Sequence, residues 1–421
     1  MPDVQVPPRG TVKLDRVEGE LKVGKGARLE STGDKIIVNG GVNFDGDARV
    51  DCDFECDSLK VGQSARRGGT LRVKGSLIAH HNIEVSRALD VETELRAEEI
   101  DVGGTIKAGS IICKSMKVGG TLRVGTTLES SESVEVGWQV KILGKVKLHN
   151  LVVGGLAEIG GGLIDGKIEA KMKFDSRSEL DFGELNIYGK ATLRANSKGR
   201  KISTFGKLIV DGNISCEEMQ VQGVTDVRGD CKSSSMEVNG KLDMAGSLSV
   251  TDKIAIYGSA EVANEVKGSN LEVAGKLGAS QIIISGDTNI TGTVYTKHGL
   301  KARSIVIGSG SNCEGPLIGE NIEVGKSGVT IMDWGKHWAG QQITMRLIGR
   351  PTRVQDVYCS YVYLREFANA RRIFSKDIEL EKGCWVDQLT YTGELKMPEG
   401  EKRVYINHTP ERVERLPSPP L

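Results

Sequence analysis

What this chain lacks narrows what it can be. No stretch of its 421 residues approaches the ~20 consecutive apolar residues of a membrane span. Met1–Gly10 lacks the basic start and apolar run of a signal peptide, so residence in the cytoplasm is expected. Aromatics make up only 5% of the residues and prolines number 10, which argues against collagen, a Pro-rich disordered chain and an aromatic-rich core. Net charge is also missing. Fifty-six basic residues balance 56 acidic ones, so no global field draws nucleic acid or a polyanionic substrate, and like subunits do not repel. The eight cysteines, at 52, 56, 113, 216, 231, 313, 359 and 384, include no CxxC pair. That pattern suits reduced thiols better than a disulfide framework. Without export, the sequons at Asn213, Asn289 and Asn407 are incidental.

What is present is glycine, 54 residues of it, together with Val, Ile and Leu, and these are arranged in a repeat. The motif is apolar-x-Val/Ile followed by a turn. Examples are Ile83-Glu-Val85, Ile100-Asp-Val102, Met116-Lys-Val118, Met236-Glu-Val238, Leu271-Glu-Val273 and Ile322-Glu-Val324. Between residues 83 and 324 successive motifs lie 16 to 18 residues apart, and 13 of 15 slots are filled; those near 204 and 290 are blurred. Alternation within each motif is that of a strand with one buried face. Glycine recurs two positions on, at 104, 120, 155, 189, 223, 240, 258 and 275, where a sharp corner needs positive φ or the absence of Cβ. Each interval has room for two more short strands, as in Gly104–Gly109 and Ser110–Cys113. About 17 residues thus make one coil of three faces, in an all-β parallel β-helix. So short a repeat cannot bury its own apolar residues and must stack on its neighbours.

Looser copies of the motif, at Leu21–Val23, Ile36–Val38, Leu59–Val61 and Leu71–Val73, carry the solenoid back to residue 11, leaving 1–10 as a tail. After Val324 an insertion around 327–341 interrupts the pattern. It is expected to resume at Ile343-Thr-Met345, Tyr361-Val-Tyr363 and Ile378-Glu-Leu380, extending the helix to 395. Residues 396–421, ending Leu416-Pro-Ser-Pro-Pro-Leu421, read as an exposed tail because such a run cannot join a ladder.

Coils such as Gly69-Thr-Leu-Arg-Val73 and Ile322-Glu-Val-Gly325 resemble those of the bactofilin family of polymer-forming cytoskeletal proteins, over residues 10–395. The resemblance implies a right-handed, three-faced helix that assembles end to end into non-polar filaments without bound nucleotide. It further implies a role in positioning other proteins or shaping the envelope. Two features depart from typical bacterial members: this helix is several times longer, and Met1–Gly10 contains no membrane-binding segment. The Tyr391-Thr-Gly-Glu-Leu395 ending and the Pro-containing tail resemble those of long archaeal relatives.

Enzymatic alternatives fare worse. Left-handed β-helix acyltransferases need strict hexapeptides and a histidine base, whereas the six histidines here (80, 81, 149, 298, 337, 408) share no phase in the repeat. Polysaccharide-active β-helices place carboxylates on one face for calcium or acid–base work. An acidic column does run through Glu84, Asp101, Glu135, Glu169, Glu237, Glu272 and Glu323, but Lys117 and Gln220 interrupt it, as in a solvated stripe. Gly319–Ser327 misses the phosphate-loop spacing and precedes no helix. Cys52 and Cys56 have no second ligand pair near them in sequence, and His80-His81 fall at a corner.

The reading that follows is a non-enzymatic scaffold with no catalytic residue, cofactor or metal, whose partners are itself and recruited proteins. A discrete β-helix binding module is the alternative. Open ends would associate through Val12, Leu14, Leu21 and Val23 at one terminus and Trp385, Val386, Leu389 and Tyr391 at the other. Trp334 and Trp338, within the insertion, are the candidate docking residues for a partner.

Overall fold

The computed structural model describes residues 3–62, 68–326, 351–399 and 403–420. Every regular element among them is a β-strand, and every strand pairing is parallel, in a solenoid with ~17 residues per turn. The chain divides into two compact units, 1–212 and 213–421.

In the N-terminal unit one coil comprises Ser115–Val118, Thr121–Val124 and the first half of Leu128–Val136, whose second half begins the next coil. The first of these three faces, here the anchor face, is a ladder running Ile83, Ile100, Met116, Val134, Leu151, Ile168, Leu185, Ile202 in Cα register. A second face aligns Val12, Leu29, Val50, Val73, Val91, Ala108, Val124 and Ile142. Because side chains alternate along a strand, each ladder sends one aliphatic column inward; apart from half-buried Val12 in the first coil, every residue of these two ladders is buried. A fully buried Val, Leu or Ile contributes about 1.5–3 kcal/mol, so stability accumulates coil by coil through nearest neighbours.

The C-terminal unit repeats the plan. Its anchor ladder runs Met219, Met236, Ile254, Leu271, Thr288, Ile305, Ile322, Val362, Ile378 and Leu395. The third face aligns Leu248, Val266, Ile282, Leu300, Leu317, Val357, Ile373 and Leu389.

Several expectations change. The two blurred slots are occupied by threonines: Thr204 pairs with Ile187 and Thr288 with Leu271, both wholly buried. Threonine has the shape of valine, so the ladder is unbroken although the apolar pattern is. Ile36–Val38 lies on the third face and Leu71–Val73 on the second, because alternation alone does not distinguish one face from another. The anchor slot between Leu21 and Leu59 is filled by Val42. Past the insertion the anchor ladder passes directly from Ile322 to Val362, and Ile343–Met345 lies outside the described residues.

The corner glycines work by lacking a Cβ. None of those at 104, 120, 155, 189, 240, 258 and 275 has positive φ. A Cβ on Gly275 would instead sit 1.9 Å from the carbonyl oxygen of Gly258, and one on Gly258 2.1 Å from that of Gly240. Coils spaced ~4.8 Å apart leave no room there for a side chain.

Candidate interaction surfaces

The terminal coils come first, since sequence placed association there. The first coil is Val4–Val6, Thr11–Lys13 and Arg16–Val17, each strand paired to the second coil on one side only among the described residues. The solenoid therefore begins at Val4, inside the segment expected to be a tail. Val4, Val12 and Leu14 are half-buried, whereas Leu21 and Val23 belong to the second coil and are fully covered by Val4–Val6. Asp15 closes the corner of the first coil against the second. It accepts hydrogen bonds from Ser31 Oγ at 2.6 Å, from the Thr32 hydroxyl, and from the backbone N–H groups of Thr32 at 2.8 Å and Gly33 at 3.4 Å. The Ser31 and Thr32 hydrogen bonds hold its carboxyl well below the usual aspartate range.

At the other terminus the segment after 396 does join the ladders. Tyr405–Ile406 pairs with Trp385–Val386, and Glu411–Arg412 pairs with Thr390–Tyr391. The Pro-containing stretch 416–420 stays outside any strand, as its lack of donors requires. Val386 and Leu389 are buried in the penultimate coil, and Tyr391 is half-buried. Leu395, Val404, Ile406 and Val413 of the last coil are half-buried, and its strands are paired on one side only among the described residues. Trp385 points outward, 38% exposed, on the second face. Trp334 and Trp338 lie outside the described residues.

Two lateral surfaces were not anticipated. Among the described residues of the N-terminal unit, the six exposed large apolar residues all fall between 138 and 205. Four share the corner between the anchor and second faces: Trp138, Met172, Tyr188 and Phe205, each about half exposed. Backbone bonds register this corner from coil to coil: Leu156 N–H donates to Trp138 O, Lys173 N–H to Gly155 O, Lys190 N–H to Met172 O and Lys207 N–H to Gly189 O, which sets Trp138 and Met172 two coils apart across Gly155, with Tyr188 and Phe205 in the adjoining column. The Tyr188 and Phe205 rings stack at 5.3 Å. Beside them Lys173, Lys190 and Lys207 form a ladder at strand spacing. The sequence signal was available: a bulky side chain in, or one residue before, the glycine column of the corner.

In the C-terminal unit the outward side of the second face aligns Asn312, Arg353, Asn369, Trp385 and Tyr405 in register. Two residues further along these strands lie Glu314, Gln355, Arg371 and Asp387, with Tyr295 paired to Glu314. Of these, Asn312, Glu314, Arg353, Gln355, Asn369, Arg371 and Trp385 border a shallow recess of about 630 Å³. Asn312 donates to Glu314 at 3.1 Å. Among the described residues the guanidinium groups of Arg353 and Arg371 have no ion-pair or hydrogen-bond partner, in contrast to that of Arg372, which grips Asp356 on the neighbouring corner.

The remaining chemistry-bearing groups are placed as surface or core. In the acidic column Glu84 meets Lys60 at 2.7 Å, Glu169 meets Lys167 at 2.6 Å and Glu272 meets Lys253 at 2.7 Å. His80 and His81 sit at a corner, exposed, facing Glu55 and Asp57. Six cysteines are buried, and burial pushes the thiols of Cys56 and Cys313 up to about 12, far from the thiolate a nucleophile needs. Among the described residues no group of three or more His, Cys, Asp or Glu could hold a metal, and no helix is long and apolar enough to cross a membrane.

Comparison with known proteins gives no matching family model, curated protein or solved structure.

Proposed function

We propose that this protein is a non-enzymatic scaffold of the bactofilin type that assembles end to end with copies of itself, without nucleotide, and carries other proteins along its sides. The observation that supports this reading is the pair of terminal coils. Among the described residues each presents strands paired on one side only, on all three faces, together with apolar residues that are only half-covered: Val4, Val12 and Leu14 at one end, Leu395, Ile406 and Val413 at the other. Unpaired strand edges template the strands of another chain. Both terminal coils follow the same order of faces, so a second copy stacked head to tail can continue all three ladders at once, a polar arrangement that departs from the non-polar filaments the family resemblance implies. The stacked apolar corner Trp138–Phe205 supplies lateral area for a recruited protein.

Electron microscopy of the 421-residue protein in nucleotide-free buffer tests the reading. Filaments that lengthen with protein concentration are expected. Discrete particles at every salt and concentration would leave the alternative, a monomeric β-helix binding module.

A further inference from the structure

We propose that the second face of the C-terminal unit binds a linear acidic oligosaccharide, with sugar carboxylates held by Arg353 and Arg371. Most charged side chains near this face are answered within the fold: Arg372 by Asp356, Asp387 by Asn407 at 3.0 Å, Glu314 by Asn312. The two arginines are not, among the described residues, and they stand on adjacent strands of one recess. A guanidinium presents a planar fork of donors that matches a carboxylate in bidentate fashion, and is more weakly hydrated than an ammonium.

The rest of the lining suits sugar. Asn369 and Gln355 flank the arginines, and an amide can both donate to and accept from a hydroxyl. Trp385 at 38% exposure and Tyr405 at 55% extend the same column, offering ring surface to the apolar C–H edge of a pyranose. Tyr295, 50% exposed, marks the opposite end. Successive strands repeat at ~4.8 Å, close to the length of one pyranose unit in an extended chain, so consecutive sugars would meet consecutive strands. A long, shallow recess fits a chain of this kind better than a compact metabolite, which needs enclosure.

Single-stranded nucleic acid would use arginines and aromatics too, but it carries a negative charge on every unit. Such a chain laid along this face would pass over Glu314 and Asp387, while the described residues bordering the recess offer it two cations, Arg353 and Arg371. A glycan with hydroxyls at most positions and carboxylates at some is the better complement.

The test is isothermal titration of the 421-residue protein with tetragalacturonate, the neutral tetrasaccharide cellotetraose and the hexanucleotide of thymidine. Tetragalacturonate is expected to bind, and cellotetraose at least about tenfold more weakly, since charge-assisted bonds dominate. In the double variant Arg353→Gln/Arg371→Gln, tetragalacturonate affinity should fall at least about tenfold, and Trp385→Ala should weaken it several-fold, with circular dichroism unchanged. Lys190→Gln, in the other unit, should leave binding as it is. The proposal is overturned by no binding of tetragalacturonate at millimolar concentration, by equal binding of cellotetraose, by preference for the hexanucleotide, or by indifference to the double arginine change. Filament formation is independent of every one of these outcomes.

Discussion

At the scale of single residues, the places where the repeat breaks its own rule are informative. Thr204 and Thr288 stand where other coils carry Leu, Ile or Val, and Thr225 is equally buried on the second face. Among the described residues the side-chain oxygens of all three find no hydrogen-bond partner. A buried hydroxyl without a partner costs about 1–3 kcal/mol relative to an apolar group of the same shape. Thr288→Val should therefore stabilise the C-terminal unit by about 1 kcal/mol, measured as a higher urea midpoint at unchanged slope. A lower midpoint would mean that the hydroxyl is satisfied by an internal water. The corner glycines break a rule in the opposite sense: sequence indicates that glycine is required there, yet allows either conformational freedom or lack of bulk as the reason. Carbonyl oxygens of the preceding coil, 1.9–2.1 Å from the missing Cβ atoms of Gly275 and Gly258, make it bulk.

At the scale of elements, strands were legible wherever apolar and polar residues alternate, but which face a strand belongs to was not. Ile36–Val38 and Leu71–Val73 carry the anchor motif on other faces, because a face is defined by stacking on coils about 17 residues away rather than by the strand's own sequence. The terminal strands show the same limit. Val4–Val6 and Tyr405–Ile406 are too short and too close to prolines to signal themselves, and they exist because a preceding or following coil offers a complete ladder. The first coil also depends on the Asp15 contacts to Ser31, Thr32 and Gly33. Since those contacts depress the Asp15 pKa, the stabilisation is present above the ordinary aspartate value of 3.8 and is lost as the pH falls below it. Asp15→Asn should accordingly weaken hydrogen-exchange protection of Val4–Val6 and Thr11–Lys13 at neutral pH. The difference from the parent protein should vanish at sufficiently acid pH; a difference that grew on acidification would contradict this assignment.

At the scale of the whole molecule, the question is what the two terminal coils and the lateral faces do. Val4→Asp or Leu395→Asp would place a charge where a second copy stacks, while each residue is already half-open to water in the single chain. Either change should abolish end-to-end assembly, read by sedimentation, with little effect on folding of the monomer. Val386→Asp should instead unfold the C-terminal coils, because Val386 is wholly buried beneath them. Assembly that survives both terminal changes would remove the proposed joint.

The sequence by itself determined the fold class, the length of the coil, the inward columns and the glycine corner, because a solenoid writes every long-range contact as a local period. It also indicated that the acidic column is a solvated stripe, since charged side chains on the outward half of an alternating strand stay in water. Only the tertiary structure decided where the solenoid begins and ends, and which apolar residues of the end coils remain uncovered. It alone aligned Trp138 with Met172, Tyr188 and Phe205 on one corner, and Arg353 with Arg371 and Trp385 on one face. Residues 17 or 40 positions apart, such as Tyr188 and Phe205 or Ile322 and Val362, become neighbours only when coils of unequal length are laid in register, and that register is fixed by packing summed over all three faces.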